Sequence, residues 1–554
     1  MEEMNVDVLV VGSGAGGLTA AITAHEHGAK VMVVEKSDMF GGTSATSGGG
    51  IWIPCNHLMA EHGETDTPEA ALNYLKACIG DDVAEERIAR YVDQAPKMLK
   101  FMEDKSEVKF TATPYADYFP DRPGGKDGWR TLDPLPMSAT KLKGEFLNMR
   151  EPHEQTAFGG FTLTVNEAKK IITRAPGWSK IMSRLVFLYR IDIPFRRKTK
   201  RHRRLCLGNA LVGRCLVSAF KRKIPVLRET PFKSLIEKDG RVVGAIITRD
   251  GKDVKVNTSR GVILAAGGFE SNPDMRAKYL PHSSNPDWSA TPGTNTGDAH
   301  KAAAEIGATM TLMDAAWWGP SVRLPKRDRS RVLFVERALP GIYIVNGNGE
   351  RFLNEAASYD EVGRQVQEHP LSTWVVFDRK AREKYAVGPL YPTAVMPDVA
   401  WGKSVKAVMK KADTIEELAA LMGVDAEGLK ATAEKVGRYS ETGIDEDFGS
   451  GNNSYDRYYG DPTVKPNPCL APISKGPFYA FQIFPGDIGT KGGVDVDVNA
   501  QALNAAGVPI GGLYATGNTA SSVMGRTYPG AGSTLGPAMT FGYVAAKHMM
   551  RANA

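Results

Sequence analysis

Hydrophobic residues open the chain as a nearly continuous run and then change to a helical spacing. Residues 6–12 are aliphatic apart from Asp7, a pattern typical of a buried strand. Apolar positions along residues 18–24 predict a helix, and residues 30–34 predict a second strand that ends at Glu35. The chain therefore begins with a predicted strand, glycine turn, helix and strand.

Strand and helix patterns return further along the chain. Residues 261–270 predict another buried strand that ends in paired glycines, and we assign it to the same sheet. The composition shifts after residues 297–298, which predicts a separate domain inserted into the first. The predicted fold class is α/β, with a Rossmann-like nucleotide-binding domain at residues 1–290 and 481–554 and an inserted α+β domain at residues 291–480. Further predicted elements are helices at 66–105, 209–221, 414–422 and 425–440, strands at 224–227, 341–346 and 512–518, and a hairpin around 238–241.

Length and composition agree with a protein of more than one domain. The 554 residues exceed what one hydrophobic core normally supports. Apolar (42%) and charged (24%) contents are those of an ordinary soluble protein. The five cysteines lie far apart without a CxxC pair, so neither a disulfide framework nor a zinc site is indicated. We find no signal-peptide pattern and no apolar run long enough to span a bilayer, so we expect a cytoplasmic protein.

The turn at residues 12–17 has glycines where a dinucleotide-binding turn needs them. Gly12 permits the tight turn, Gly14 lets the backbone approach a pyrophosphate, and Gly17 lets the helix pack close to the strand. Glu35 can accept hydrogen bonds from a ribose, and its charge would repel a 2′-phosphate. An ordinary glycine-rich loop is the alternative, but the strand, the helix and the distal acid together favour dinucleotide binding.

A second loop of small residues, at 40–50, favours FAD over NAD. It directly follows the strand that ends at Glu35, and larger side chains there would crowd a cofactor that continues past its ADP half. A flexible surface loop is the alternative. The glycine turn that opens the C-terminal helix offers a further cofactor-facing site. The candidate cofactor-binding residues are Gly12, Gly14, Ala15, Gly16, Gly17, Glu35, Lys36, Gly42, Thr43, Ser44, Ser47, Gly48, Gly49, Ala266, Gly267, Gly517, Asn518, Ser533 and Leu535.

Residues 169–204 form an unusually basic segment. They contain thirteen Lys or Arg residues and one acid, Asp192, so the local charge is +12 in a chain of net charge +6. Apolar residues, including Trp178, recur among them at helical spacing, which predicts a peripheral anchor on the anionic inner face of the cell membrane. A solvated basic face is one alternative. Nucleic acid is another, but no nucleic-acid fold signature accompanies the charge. The basic residues are Lys169, Lys170, Arg174, Lys180, Arg184, Arg190, Arg196, Arg197, Lys198, Lys200, Arg201, Arg203 and Arg204.

Tyrosine is the reactive residue type that recurs beside glycine turns, at Tyr118, Tyr359 and Tyr528. The chain has no hydrolase triad order, no HExxH and no P-loop, and its histidines are scattered, so metal and His-based catalysis are not indicated. A free tyrosine, with a pKa of about 10, is a poor base at neutral pH unless nearby donors stabilise the phenolate. Spacing alone does not choose among the eighteen tyrosines.

Seven motifs lie along the chain: GSGAGG at 12–17, SGGGIWIP at 47–54, AWWGP at 316–320, RFLNE at 351–355, SYDRYYGDP at 454–462, PGDIGTKGG at 485–493 and TYPGAG at 527–532. With them the chain resembles the 3-ketosteroid Δ1-dehydrogenases, within the fumarate reductase/succinate dehydrogenase flavoprotein superfamily. The first motif is general to flavoproteins, and the last four together are far more specific. Between about residues 160 and 205 the chain departs from the family pattern, and the basic segment looks like an insertion.

The resemblance implies an FAD enzyme that removes two hydrogens from C1 and C2 of ring A of a 3-ketosteroid. The family's base tyrosine falls on Tyr359, and the tyrosine that supports it falls on Tyr118, with Tyr115 close by. The carbonyl-binding tyrosine falls on Tyr528 and the partnering backbone N–H on Gly532. The resemblance further implies that Tyr359 takes the C2 proton and that hydride leaves C1 for flavin N5.

Three alternatives to this reaction remain open from the sequence. A fumarate-reducing flavoprotein would need Arg and His groups to clamp a dicarboxylate, and the predicted site offers tyrosines instead. A 3-ketosteroid Δ4-(5α)-dehydrogenase acts on another bond of the same ring, and the sequence barely separates the two. A flavin-fold peripheral membrane protein without catalysis is the third.

The basic segment also bears on the substrate, because sterols with a long side chain partition into membranes. It favours side-chain-bearing 3-ketosteroids such as cholest-4-en-3-one. The residues do not identify the electron acceptor that reoxidises FAD.

Overall fold

The computed structural model describes residues 2–158, 160–172, 175–281 and 284–551. Within these residues, eight strands form one mixed sheet, the main sheet. The first strand, Glu2–Val11, lies between Val31–Val34 and Lys252–Leu264 and is parallel to both. It is buried on both faces from Val8 to Val11, as expected for a continuous aliphatic run. The other strands of the main sheet are Val226–Leu227, Phe232–Lys238, Arg241–Arg249, Gln501–Leu503 and Pro509–Ala515.

The last part of the chain returns to the main sheet. Pro509–Ala515 pairs in parallel with Lys252–Leu264, with Leu513 opposite Val262. Its carboxyl end therefore lies at the same edge of the sheet as that of the first strand. The glycine turns that follow these parallel strands are brought together there.

The first and last helices pack closely against each other. Ala15–Glu26 contacts Leu535–Arg551, and a Cβ on Gly16 would lie 2.8 Å from the carbonyl oxygen of Ala538. A Cβ on Gly542 would lie 2.5 Å from the Gly16 carbonyl oxygen. Glycine at these positions lets the C-terminal helix begin beside the first turn of the chain.

The intervening part of the chain builds antiparallel sheets of its own. One consists of Ile342–Val345, Trp374–Phe377, Phe478–Gln482 and Met409–Ala412, in this order. The predicted α/β class, with a Rossmann-like domain and an inserted α+β domain, is confirmed. The boundaries at 290/291 and 480/481 stay a prediction.

A further antiparallel sheet joins residues on both sides of the predicted second boundary. Ala316–Val322 pairs with Phe484–Thr490 on one side and with Arg331–Val332 on the other. The remaining short strands are Ile51–Trp52, Phe110–Ala112, Thr131–Pro134, Met137–Ser138, Ala157–Phe158, Phe161–Thr162, Arg204–Leu205, Met310–Thr311 and Gly493–Val494.

The predicted helices are present, with ends that differ by up to three residues. No helix in the described part of the chain is both long enough and apolar enough to cross a membrane. The remaining α-helices are Gly42–Thr46, Pro68–Ile79, Glu85–Lys105, Val165–Ile172, Trp178–Ile191, Ile193–Arg196, Leu207–Lys221, Pro273–Tyr279, Asp298–Glu305, Tyr359–Gln365, Arg379–Lys384, Lys403–Val408, Ile415–Met422, Ala426–Thr442 and Ser454–Tyr459.

Candidate active site

A cavity of about 690 Å³ opens at the carboxyl ends of the parallel strands of the main sheet. Its lining includes the turns that follow four of these strands, at residues 11–16, 34–36, 265–268 and 516–518. Residues of the inserted domain line the same cavity. Open α/β sheets bind ligands at this edge, so the cavity is the candidate active site.

The space around the first turn requires glycine at two positions. Gly12 has a φ of 108°, and a Cβ on it would overlap the carbonyl oxygen of Ala265. A Cβ on Gly17 would overlap the Gly12 carbonyl oxygen. The helix Ala15–Glu26 can therefore begin directly at the turn, and its first N–H groups lack intrahelical partners. This cradle lines the cavity through Gly14 and fits the pyrophosphate of a dinucleotide.

The Glu35 carboxylate is held in place at the end of the second strand. The Ser13 N–H and hydroxyl donate to its Oε2 over 3.2 and 2.6 Å, and the Ser37 N–H donates to its Oε1 over 3.0 Å. Glu35 lines the cavity, and a carboxylate has lone pairs for further donors. The arrangement fits the ribose acceptor of a nucleotide cofactor without a 2′-phosphate.

Three tyrosines from distant parts of the chain meet on the cavity wall. The ring centroids of Tyr118 and Tyr359 are 5.8 Å apart, those of Tyr118 and Tyr528 are 5.2 Å apart, and those of Tyr359 and Tyr528 are 5.3 Å apart. All three side chains are buried and line the cavity. They form the tyrosine cluster.

Gly532 lies on the same wall as the tyrosine cluster. Its φ is 100°, and a Cβ on it would lie 2.5 Å from the backbone of Ile51. The Tyr528 oxygen accepts a hydrogen bond from the Thr534 hydroxyl, at 3.1 Å. The hydroxyl proton of Tyr528 is therefore left to donate elsewhere.

Comparison with known proteins places this site in a family. Residues 7–535 match the FAD binding domain family. A 3-oxosteroid 1-dehydrogenase of Mycolicibacterium smegmatis is 40% identical, over 99% of this chain and 97% of the relative. A 4-oxocyclohexanecarboxylate 2-dehydrogenase of Sinomonas cyclohexanicum is 36% identical, over 98% of this chain and 92% of the relative.

A solved structure extends this similarity to the whole fold. It is the 3-ketosteroid Δ1-dehydrogenase of Sterolibacterium denitrificans in complex with 1,4-androstadiene-3,17-dione. The TM-score is 0.95 and the identity 44%, over 99% of this chain and 100% of that one. The chain belongs to the 3-ketosteroid Δ1-dehydrogenase family. The predicted resemblance and the predicted FAD cofactor are thereby confirmed.

Most of the candidate cofactor-binding residues predicted from the sequence line the cavity. Gly17 and Ser533 do not belong to its lining. Gly17 packs against the turn, and Ser533 forms hydrogen bonds with Gly530, its hydroxyl donating to the carbonyl oxygen over 2.7 Å. Lys36 lines the cavity while its Nζ donates to Asp298 over 2.7 Å. The roles of the individual residues toward FAD stay a prediction.

Burial dominates the electrostatics of the tyrosine cluster. It raises the pKa of Tyr118, Tyr359 and Tyr528 above the ordinary value, because each phenolate would lose its hydration. The hydrogen bond between Tyr118 and Tyr359 acts in the opposite direction on the pKa of Tyr359. The tyrosines are therefore neutral at pH 7, and a base among them must be supported by its neighbours.

Several residues of the site were not predicted from the sequence. Asp133 lines the cavity, and burial raises the pKa of its carboxyl to about 7. Trp317 packs against Tyr528 with ring centroids 4.9 Å apart, and Phe334 packs against Tyr359 at 5.0 Å. Trp317 stands in a motif that carried the family resemblance, but nothing in that motif indicates which side chain packs against Tyr528.

The first part of the basic segment and the residues just before it form one wall of the cavity. Lys169 and Trp178 belong to the lining, and Arg174 lies outside the described residues. Leu390 and Val395 of the inserted domain also belong to the lining. The apolar lining residues from this part of the chain are Leu163, Val165, Ala168, Ile171, Ile172, Trp178 and Met182.

Proposed function

We propose that the protein removes the hydrogens at C1 and C2 of ring A of a 3-ketosteroid, so that a 3-oxo-4-ene becomes a 3-oxo-1,4-diene. The convergence of Tyr118, Tyr359 and Tyr528 in the cavity of an FAD-dependent family carries this proposal. The ligand named for the related solved structure, a 1,4-diene, supports the same reaction.

Tyr528 and Gly532 are the proposed donors to the C3 carbonyl. The Tyr528 oxygen already accepts from Thr534, so its own proton is available to a substrate oxygen. Gly532 follows Tyr528 by four residues and lines the same cavity, and its N–H is the proposed second donor. Two donors aimed at one oxygen stabilise the enolate that develops when C2 loses its proton, and each such donor contributes about 10²- to 10³-fold in rate.

Tyr359 is the proposed acceptor of the C2 proton, and Tyr118 supports it. Burial makes the Tyr359 phenolate scarce, and the hydrogen bond from Tyr118 offsets part of that cost. The electron pair of the broken C2–H bond forms the C1–C2 double bond as the hydrogen on C1 leaves with its own pair. When bound, FAD supplies the acceptor for that hydrogen.

The apolar wall formed by residues 163–182 favours a steroid with a side chain, such as cholest-4-en-3-one. Trp178 and Met182 line the cavity together with Pro392 and Val395 of the inserted domain. An apolar chain placed against them would be removed from water, and each buried CH₂ contributes about 0.8 kcal/mol. A small cyclic keto acid would leave this wall uncovered.

The outer face of helix Trp178–Ile191 supports docking on an anionic membrane surface. Phe187 is 62% exposed and Ile191 is 54% exposed, and Arg184 and Arg190 are exposed on the same helix. Apolar and basic side chains exposed together are typical of helices that lie in the headgroup region. A sterol dissolved in the membrane would then reach the cavity wall on the inner side of this helix.

Anaerobic titration tests the reaction. The protein with bound FAD is mixed with cholest-4-en-3-one, androst-4-ene-3,17-dione or 4-oxocyclohexanecarboxylate, and flavin absorbance and product structure are determined. We expect both steroids to bleach the flavin and to yield 1,4-dienes, with the side-chain steroid bound more tightly. A product desaturated elsewhere in ring A, or bleaching by the keto acid alone, would contradict the proposal.

Vesicle co-sedimentation at low salt tests the membrane surface. We expect binding to anionic vesicles and a large loss of binding in Phe187→Ser/Ile191→Ser. Val399→Ser is the matched control, because Val399 is 90% exposed on another segment. Equal binding of all three proteins would contradict the proposed docking face.

A further inference from the structure

Lys491 is a buried cation beside the tyrosine cluster that the proposed reaction does not use. It directly follows the strand Phe484–Thr490, and its side chain is 0% exposed. A charged ammonium is costly to bury unless its three donors all find acceptors. Its partners therefore indicate what it holds in place.

The Lys491 ammonium joins the two chain segments that carry Tyr359 and Tyr528. Its Nζ donates to Oδ1 of Asp360 over 3.1 Å, and Asp360 directly follows Tyr359. It also donates to the carbonyl oxygens of Arg526 and Thr527, over 2.8 and 3.0 Å, and these two residues directly precede Tyr528. The three donors of the ammonium are thereby matched by three acceptors.

Trp317 adds a third connection to the same ammonium. Nζ of Lys491 lies 4.5 Å from the centroid of the Trp317 ring, within the range of a cation–π contact. The Trp317 ring packs against Tyr528, and its Nε1 donates to Asn518 over 3.1 Å. Asn518 lines the cavity.

The Asp360 carboxylate also accepts a hydrogen bond from a further element, the strand Ala316–Val322. Its Oδ1 accepts from the backbone N–H of Trp318 over 3.1 Å. Burial lowers the pKa of Lys491 to about 8 and the Asp360 charge acts in the opposite direction, so the ammonium persists at neutral pH. The ion pair therefore ties three elements of the cavity wall together.

We infer that Lys491 is a positioning residue, which sets the separation between the proton acceptor Tyr359 and the carbonyl donor Tyr528. This inference rests on the proposed function of the two tyrosines. The reaction needs the C2 proton and the C3 oxygen of one substrate to meet these two groups at the same time. Misplacement by about 1 Å can cost about 100-fold in rate, whereas the apolar contacts that bind the steroid are spread over the whole cavity.

The test separates the rate of the chemical step from steroid binding. Lys491→Met leaves the buried Asp360 charge with only the half-exposed Arg364, 3.4 Å away, as an ion-pair partner and can fail to fold. Lys491→Met/Asp360→Asn removes both charges and is therefore the decisive variant. Arg276→Met/Asp487→Asn is the matched control, because Arg276 and Asp487 form an equally buried ion pair at 2.7 Å. The other hydrogen bonds of the Arg276 guanidinium go to Glu270 and Ser284, outside the two tyrosine segments.

Two quantities are measured for each variant with FAD bound: the rate of flavin bleaching at saturating androst-4-ene-3,17-dione, and the dissociation constant of the 1,4-diene product. We expect Lys491→Met/Asp360→Asn to slow bleaching more than tenfold per bound flavin and to change the dissociation constant less than threefold. Arg276→Met/Asp487→Asn should stay within threefold of the wild type in both.

Two outcomes would overturn the inference. One is bleaching at the wild-type rate in Lys491→Met/Asp360→Asn, and the other is an equal slowing in Arg276→Met/Asp487→Asn. A wild-type protein that dehydrogenates neither steroid at C1–C2 would instead overturn the proposed function, so the two failures are distinguishable.

Discussion

The two functional parts of the cavity are built in opposite ways. The glycine cradle at residues 12–17 is one continuous stretch and works through backbone groups whose approach a side chain would block. The tyrosine cluster comes from three stretches that are far apart in sequence, and it works through side chains whose relative position matters. Changes in the cradle should therefore affect cofactor binding, and changes in the cluster should affect the rate with the cofactor still bound.

Gly12→Ala should have the largest effect, on the cradle side. The new Cβ would overlap the Ala265 carbonyl oxygen at a φ of 108°, so the turn must deform. We expect purified protein without flavin, measured by absorbance at the flavin maximum. Gly437→Ala is the control, because a Cβ at this helical position meets nothing within 4 Å. Full flavin content in Gly12→Ala would mean that the cradle does not hold the cofactor.

Tyr359→Phe should have the next largest effect, on the cluster side. The ring remains and the proton acceptor is lost, so we expect full flavin content and a turnover about 10²- to 10⁴-fold lower. Steady-state rates per bound flavin measure this. Tyr514→Phe controls for the loss of a buried tyrosine hydroxyl outside the cluster, since Tyr514 contacts His548 in the main sheet region. Wild-type turnover in Tyr359→Phe would remove Tyr359 from the mechanism.

Gly532→Ala tests the comparison further, because it changes a glycine that lies beside the tyrosine cluster and not in the glycine cradle. The new Cβ would lie 2.5 Å from the backbone of Ile51 and would displace the N–H that we propose as a donor to the C3 oxygen. We expect flavin to be retained and the rate of flavin bleaching to fall about 10²-fold, the contribution typical of one such donor. Loss of flavin with an unchanged rate per remaining flavin would assign Gly532 to the cradle instead.

The pH dependence should show the smallest effect. Burial and the neighbouring tyrosines, Tyr528 and Tyr455, raise the pKa of Tyr359, so the active phenolate is the minor form at neutral pH. Its fraction grows about tenfold per pH unit below that pKa, and kcat/KM should therefore rise with pH in the alkaline range. A pH–rate profile of soluble steroid turnover measures the rise, and a flat profile from neutral to alkaline pH would contradict a tyrosine base.

The cradle could be read from the sequence because its parts are local. A strand, a glycine turn, a helix and an acid at fixed spacing are typical of a dinucleotide-binding unit. In the structure, a Cβ on Gly12 or Gly17 would overlap a backbone carbonyl oxygen, and Glu35 accepts a hydrogen bond from Ser13. The orientation of the basic segment, residues 169–204, could not be predicted from the sequence, because helical periodicity does not indicate which face of the helix packs against the protein. The structure turns Trp178 and Met182 toward the cavity and leaves Phe187 and Ile191 outside.

The sequence by itself determined the α/β class, the cofactor turn and, through the family resemblance, which tyrosines to consider. Only the tertiary structure brought Tyr118, Tyr359 and Tyr528 to ring distances of 5.2–5.8 Å. It alone gave Lys491 a place between two of them. Local patterns depend on the backbone geometry of neighbouring residues, whereas contacts between distant residues depend on how whole elements pack.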